Sequence, residues 1–177
     1  MKVTETHLKG CFIIEPQVFV DERGYFFESF HKEKFQQLTN IEVDFLQDNE
    51  AFSNRGVVRG LHFQKGQHAQ AKLIRVVKGK VLDIAVDLRS GSKTFGKHFS
   101  IILSEENKKQ LWIPPGFAHG FCVLSDWADL HYKVSATYDP GDEGGLLWRD
   151  ENIGIQWPID NPIISNRDDS YPLLVEL

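Results

Sequence analysis

The chain has little sulfur and no long apolar run. Its 177 residues include two cysteines, Cys11 and Cys122, and one methionine. A small secreted scaffold held by disulfides carries more cysteines than this, so the two are read as reduced, buried thiols. No apolar stretch approaches the ~20 residues of a membrane-spanning helix. Met1–Gly10 is polar and lacks the apolar core of a secretory signal. A cytoplasmic protein with no membrane partner is therefore expected. Positive charge is also short: Lys and Arg total 20 against 25 Asp and Glu, a formal net charge of −5. The broad basic field of a nucleic-acid binder is missing, and no nucleic-acid partner is expected. A local cationic pocket for a small anion is still compatible with that balance. Gly (14) and Pro (7) are too few for a low-complexity or collagen-like chain.

What is present is ordinary globular composition, 41% hydrophobic and 25% charged. A chain of this length buries roughly 70% of its unfolded surface. No linker, repeat or charge block divides it, so a single domain over residues 1–177 is expected. Short β-type runs are punctuated by Gly, Pro and Asn. Phe12–Ile14 and Tyr25–Glu28 flank the turn Asp21-Glu22-Arg23-Gly24 and read as a hairpin. A short helix follows, with Ser29 as its cap and Phe30, Phe35 and Leu38 on one face. Val43–Gln47 reads as a strand. Lys72–Val77 and Val81–Leu88 flank Lys78-Gly79-Lys80 as a second hairpin. Phe99–Leu103, Leu111–Ile113, Gly120–Leu124 and Leu130–Ala136 continue the series. This spacing predicts a mainly β protein, a sandwich or barrel with one or two short helices. A parallel sheet needs alternating helices, and the middle of the chain has none.

Two histidines sit in ordered frames: Gly56-Val57-Val58-Arg59-Gly60-Leu61-His62 and Pro114-Pro115-Gly116-Phe117-Ala118-His119. The frames Gly-x5-His and Pro-x-Gly-x2-His resemble the two motifs of the cupin superfamily, small jelly-roll barrels with a site inside. In metal-binding cupins the first motif continues with a second His and a Glu. Here Gln64 stands at the second His and Lys72 at the Glu. An ammonium repels a divalent cation and ligates only after losing its proton. His62, His68 and His119 would be the remaining three-nitrogen ligand set, but Lys72 and the lost Glu weigh against a metal. No metal and no other cofactor is expected.

A metal-free site of this kind suits proton removal next to a ketone. That step needs a base, a group that stabilises the enolate oxygen and an acid that returns the proton. His62 suits the first task, Lys72 the second and Tyr132 the third. A phenol of ordinary pKa is protonated at neutral pH and can donate.

A closer resemblance rests on a run of segments in order. They are Asp21-Glu22-Arg23-Gly24-Tyr25-Phe26, Gln47-Asp48-Asn49, Arg59-Gly60-Leu61-His62, Ala71-Lys72-Leu73, Phe95-Gly96, Trp112 through Phe121, and Tyr132-Lys133. Together they resemble the dTDP-4-dehydrorhamnose 3,5-epimerase family over nearly the whole chain. The resemblance implies a cofactor-free epimerase and a dTDP-4-keto-6-deoxyglucose substrate inverted at C3 and C5 on the way to dTDP-L-rhamnose. It also implies a homodimer in which the segment around Arg23–Glu28 reaches into the partner's site. His62 matches the family's proton acceptor, Tyr132 its donor, Lys72 the residue near the C4 oxygen, and Asp168 the carboxylate that pairs with the His. The nucleotide positions match Arg23, Glu28, Gln47, Asp48, Asn49, Arg59, His119 and Glu143. Phe26 is placed to stack on thymine, and Tyr138 to line the sugar pocket. Arg167 stands where many relatives have Lys. His68 inherits no role, and His131 is expected on the opposite strand face from Tyr132. Arginine suits a diphosphate through bidentate, charge-assisted hydrogen bonds.

Two points stay open in the sequence. Arg59 and His62 are three residues apart, which in a regular strand puts them on opposite faces, unless Gly60 marks a bulge. The regiochemistry is also open. A 3-epimerase, a 5-epimerase or a 3,4-ketoisomerase would use a similar scaffold, and a metal-dependent oxygenase or a sugar-binding cupin are the more distant alternatives. The pairing of a base with an acid favours an inverting epimerase.

Overall fold

In a computed structural model, which describes residues 1–177, the chain forms two antiparallel sheets and one short helix. The strands are β1 (Lys2–Glu5), β2 (Phe12–Glu15), β3 (Phe19–Asp21), β4 (Gly24–Phe26), β5 (Gln47–Asn54), β6 (Val58–Gln64), β7 (Lys72–Lys78), β8 (Lys80–Asp87), β9 (His98–Ser104), β10 (Gln110–Ile113), β11 (Phe117–Val123), β12 (Trp127–Val134) and β13 (Glu143–Gly145). One sheet runs β1-β2-β10-β7-β12-β5 and the other β13-β6-β11-β8-β9, with β3-β4 a separate hairpin. The sheets face each other as an open jelly-roll sandwich, the mainly β architecture expected.

Period-2 alternation sorts each strand into two faces. Ile74 and Val76 of β7, Leu111 and Ile113 of β10, and Ala128 and Leu130 of β12 point inward. They meet Val81 and Ala85 of β8, Leu103 of β9, and Phe117, Phe121 and Val123 of β11. The intervening residues cover the outer faces. Leu73 and Trp112 pack under α1 (Lys32–Thr39) through Phe35. Ile84, Val86, Ala118 and Leu61 pack under the C-terminal segment around Leu146 and Ile153. Cys11 and Cys122 are both buried and unpaired. No helix is long and apolar enough to cross a membrane.

Three local expectations are corrected. The Asp21–Gly24 turn does close a hairpin, but its arms are Phe19–Asp21 and Gly24–Phe26; Phe12–Glu15 pairs instead with β1 and β10. The helix starts at Lys32 and is capped by His31, whose side chain accepts the Lys34 N–H, not by Ser29. Val43 packs under the helix, and the strand near it begins only at Gln47. The Lys78–Lys80 hairpin, β9 and β10 stand within one residue of their expected bounds, whereas β11 and β12 each begin three residues earlier than expected, at Phe117 and Trp127.

Candidate active site

Part of the inner face is polar. Gln47 and Asn49 of β5, Lys72 of β7 and Tyr132 of β12 line one wall, and Arg59 and His62 of β6 with His119 of β11 line the other. They enclose a cavity of about 360 Å³, rimmed by Tyr138, Glu143 and Arg167. The registers explain the convergence. Tyr132 stands directly opposite Asn49 on the neighbouring strand, and His62 directly opposite His119.

The open question of Arg59 and His62 is settled by a register shift. Phe121 pairs with Arg59 and His119 with His62. Two residues of β11 therefore advance while three of β6 advance, so both Arg59 and His62 face inward. Gly60 is required at this bulge. Its φ is +112°, and a Cβ there would lie 2.6 Å from the His119 carbonyl oxygen and 2.7 Å from Gly120 Cα.

The His62 imidazole is held by Asp168, Nε2 to Oδ1 at 2.9 Å. The other oxygen of Asp168 accepts the Gly60 N–H at 2.9 Å. Burial pushes the Asp168 carboxyl up, but the His62, Gly60 and Ser165 hydrogen bonds together outweigh it and bring the group down to about 2. An ionised carboxylate only accepts. Nε2 of His62 therefore carries the hydrogen, which leaves Nδ1 with the free lone pair. Asp168 opens a 3₁₀ turn, Asp168–Ser170, and Tyr171 follows it with its ring edge-to-face against His62 at 5.7 Å.

Lys72 is almost wholly buried. Burial pushes its ammonium down to about 8, with Asp83 and Glu143 pulling the other way. Burial also raises the Tyr132 phenol, against the opposing pull of Arg59, so this group is protonated at neutral pH. Asp83 was not singled out by sequence reasoning. It is fully buried on the inner face of β8, and both its oxygens lie within 3.0–3.1 Å of His119 Nε2. The one available signal was an acid inside the apolar run Val81–Val86. Gln64 and Gln70 also line the cavity without having been assigned a role.

At the rim, one oxygen of Glu143 accepts from the Tyr138 hydroxyl at 3.1 Å and from Arg167 Nη1 at 2.9 Å. Arg59 Nε donates to Ser53 Oγ at 2.9 Å. Other expected residues lie elsewhere. Asp48 faces away from the cavity, because it alternates with Gln47 and Asn49, and it accepts from Lys133 at 2.9 Å. Arg23 pairs with Asp21, and Glu28 with Lys34. Phe26 is 67% exposed on the β3-β4 hairpin beside Phe19, Val20 and Tyr25. None of these four touches the cavity of its own chain. His131 lies on the strand face opposite Tyr132 and near Asp48.

Of the three histidines considered as metal ligands, His62 and His119 line the cavity and His68 does not. His62 bonds Asp168, His119 bonds Asp83, and His68 bonds Asp142 at 2.6 Å. No group of three His, Cys, Asp or Glu side chains is arranged to hold an ion.

The family model for dTDP-4-dehydrorhamnose 3,5-epimerase matches residues 5–176. The chain is 51% identical over 168 residues to the dTDP-4-dehydrorhamnose 3,5-epimerase of Shigella flexneri, covering 95% of this chain and 93% of the relative. It superposes on the crystal structure of the enzyme of that name from Elizabethkingia anophelis with a TM-score of 0.96 at 48% identity, covering 99% and 97% of the two chains. It also matches a dTDP-6-deoxy-D-glucose-3,5-epimerase of Legionella pneumophila solved in complex with dTDP-4-keto-L-rhamnose. There the TM-score is 0.95 at 44% identity, over 98% and 93% of the chains.

Proposed function

The chain belongs to the dTDP-4-dehydrorhamnose 3,5-epimerase family, and from that premise we propose how its cavity performs the reaction. The enzyme is an isomerase that converts dTDP-4-keto-6-deoxyglucose to dTDP-4-keto-L-rhamnose in dTDP-L-rhamnose biosynthesis. C3 and C5 both flank the C4 ketone, so removal of either hydrogen gives an enolate with its charge on the C4 oxygen. His62 takes that proton on Nδ1, held in the right tautomer by Asp168. The Lys72 ammonium stabilises the enolate oxygen in a low-dielectric setting where a charge counts for more than in water. The Tyr132 phenol returns a proton to the opposite face of the carbon. Each inversion leaves an imidazolium and a phenolate, and exchange with solvent resets both. No cofactor enters this sequence.

The observation that carries the reading is the placement of base and acid on opposing walls. His62 rises from one sheet and Tyr132 from the other, with Lys72 beside Tyr132's strand. Inversion requires proton removal and return on opposite faces, and a cavity between two sheets supplies them.

Substrate binding follows from the rim and the far wall. Arg59 and Arg167 face the diphosphate, while Gln47, Asn49, His119, Tyr138 and Glu143 hold the nucleotide and sugar. Arg23, Phe26 and Glu28 act in the site of a second copy, in a homodimer whose hairpins cross. The exposed apolar face of that hairpin, none of whose residues lines its own cavity, supports this. The 1–177 chain acts as one catalytic domain, in the cytoplasm where nucleotide sugars are made.

Incubation with dTDP-4-keto-6-deoxyglucose, followed by ketone reduction and configuration analysis, tests the reading. Inversion at both C3 and C5 is expected. Unchanged configuration at either carbon contradicts it.

A further inference from the structure

Tyr171 belongs to no part of the chemistry above, yet it contacts the proposed base. Asp168 and Tyr171 are three residues apart across a 3₁₀ turn. In that geometry residues i and i+3 eclipse each other, so both side chains project toward His62. Asp168 takes Nε2 at 2.9 Å, and the Tyr171 ring meets the imidazole ring at 5.7 Å with 70° between planes. That is the favoured edge-to-face arrangement of two aromatic rings.

The Tyr171 ring is itself fixed. Gly145 of β13 pairs directly with His62, and a Cβ on Gly145 would lie 2.4–2.5 Å from three ring atoms of Tyr171. The phenol therefore lies flat against the backbone of the strand that flanks His62. At the next residue the Pro172 carbonyl accepts the Leu147 N–H at 2.9 Å, which ties the turn to the same segment. The hydroxyl is buried and makes no hydrogen bond. The contact with His62 is made by the ring.

We propose that Tyr171 is a positioning residue for the base: its ring and the Asp168 carboxylate, delivered by one turn, fix the plane and tautomer of His62. The hydrogen bond to Asp168 alone leaves the imidazole free to swing about that bond. The Tyr171 ring removes this freedom and keeps Nδ1 directed at the reacting carbon. Misplacement of a reacting group by about 1 Å can cost about 10²-fold in rate, so the effect belongs to kcat. This inference rests on the reading of His62 as the base, and the test separates the two.

The kcat and KM for dTDP-4-keto-6-deoxyglucose are measured for Tyr171→Ala, Tyr171→Phe and His62→Ala, with dTDP affinity measured alongside. Tyr171→Ala should lower kcat by about tenfold or more and change KM and dTDP affinity less than about threefold. Tyr171→Phe should restore the rate. If Tyr171→Ala does not fold, Tyr171→Leu, which keeps bulk against Gly145, is read the same way. Wild-type kcat in the Ala or Leu variant, or a loss of dTDP affinity as large as the loss of kcat, with His62→Ala inactive, overturns the proposal. So does a Phe variant as slow as Ala, because the hydroxyl would then be what matters. Full activity in His62→Ala overturns the base assignment itself.

Discussion

His62 and Asp168 are 106 residues apart in sequence and 2.9 Å apart in space. The pair links the wall of the sandwich to the C-terminal turn. The same carboxylate anchors the Gly60 N–H at the bulge that turns Arg59 and His62 to one face. One buried group therefore sets both the tautomer of the base and the strand geometry that presents it.

Asp168→Asn should cut kcat by about 10²–10⁴-fold, the share a positioned base typically supplies, with dTDP affinity nearly kept. The same group links stability to acid. Its carboxyl sits near 2 in the fold, below its ordinary value of 3.8. Its stabilisation is therefore complete above about pH 4 and fades as pH falls toward 2, amounting to about 2 kcal/mol at neutral pH. Denaturant unfolding at pH 7, 4 and 2.5 checks this: the gap between wild type and Asp168→Asn should narrow only at the lowest pH.

Lys72 and Asp83 give a paired prediction. The Lys72 ammonium, pushed down to about 8 by burial, stabilises the enolate only while charged. The kcat profile should fall as pH rises through about 8. Lys72→Met should lose about 10²–10³-fold, as loss of one oxyanion donor typically does. Asp83 pulls the Lys72 value up, so Asp83→Asn should move the basic limb to lower pH. A limb that stays in place in Asp83→Asn would mean that another group sets it.

Tyr132→Phe removes the acid and keeps the base. In D₂O the substrate should still exchange hydrogen for deuterium but keep its starting configuration, while epimer formation falls by about 10²–10⁴-fold. NMR of the recovered sugar nucleotide separates the two rates. Equal loss of exchange and inversion would place Tyr132 in the first proton transfer.

The crossed-hairpin dimer predicts complementation. Arg23→Ala should raise KM by about tenfold, the weight of a hydrogen bond to a charged group. His62→Ala should be inactive. Co-refolding the two variants should restore part of the wild-type activity, because one site of each mixed dimer then combines an intact His62 with an intact Arg23. No restoration in a verified mixed dimer would place Arg23 outside the partner's site.

Much of this was legible in the sequence where the signal is local. The two His frames lie on β6 and β11, which pair with His62 facing His119. The Asp21–Gly24 turn is where it was expected. Long-range pairing was not legible. Phe12–Ile14 has strand character, but its partners Lys2–Glu5 and Gln110–Trp112 are set by the tertiary fold. Asp83 was missed because an isolated acid in a strand resembles a solvent-facing position, and its burial appears only when His119 is brought opposite it. Asp48 was carried to the site by its neighbours, although alternation turns its side chain away. The Arg59–His62 pair needed the bulge at Gly60, which one glycine signals but does not establish.

The most direct measurement is proton NMR of dTDP-4-keto-6-deoxyglucose in D₂O with wild-type enzyme and with His62→Ala. The account predicts loss of both the C3 and C5 proton signals with wild type and neither with His62→Ala. Loss at one carbon only, or exchange that survives in His62→Ala, would contradict it.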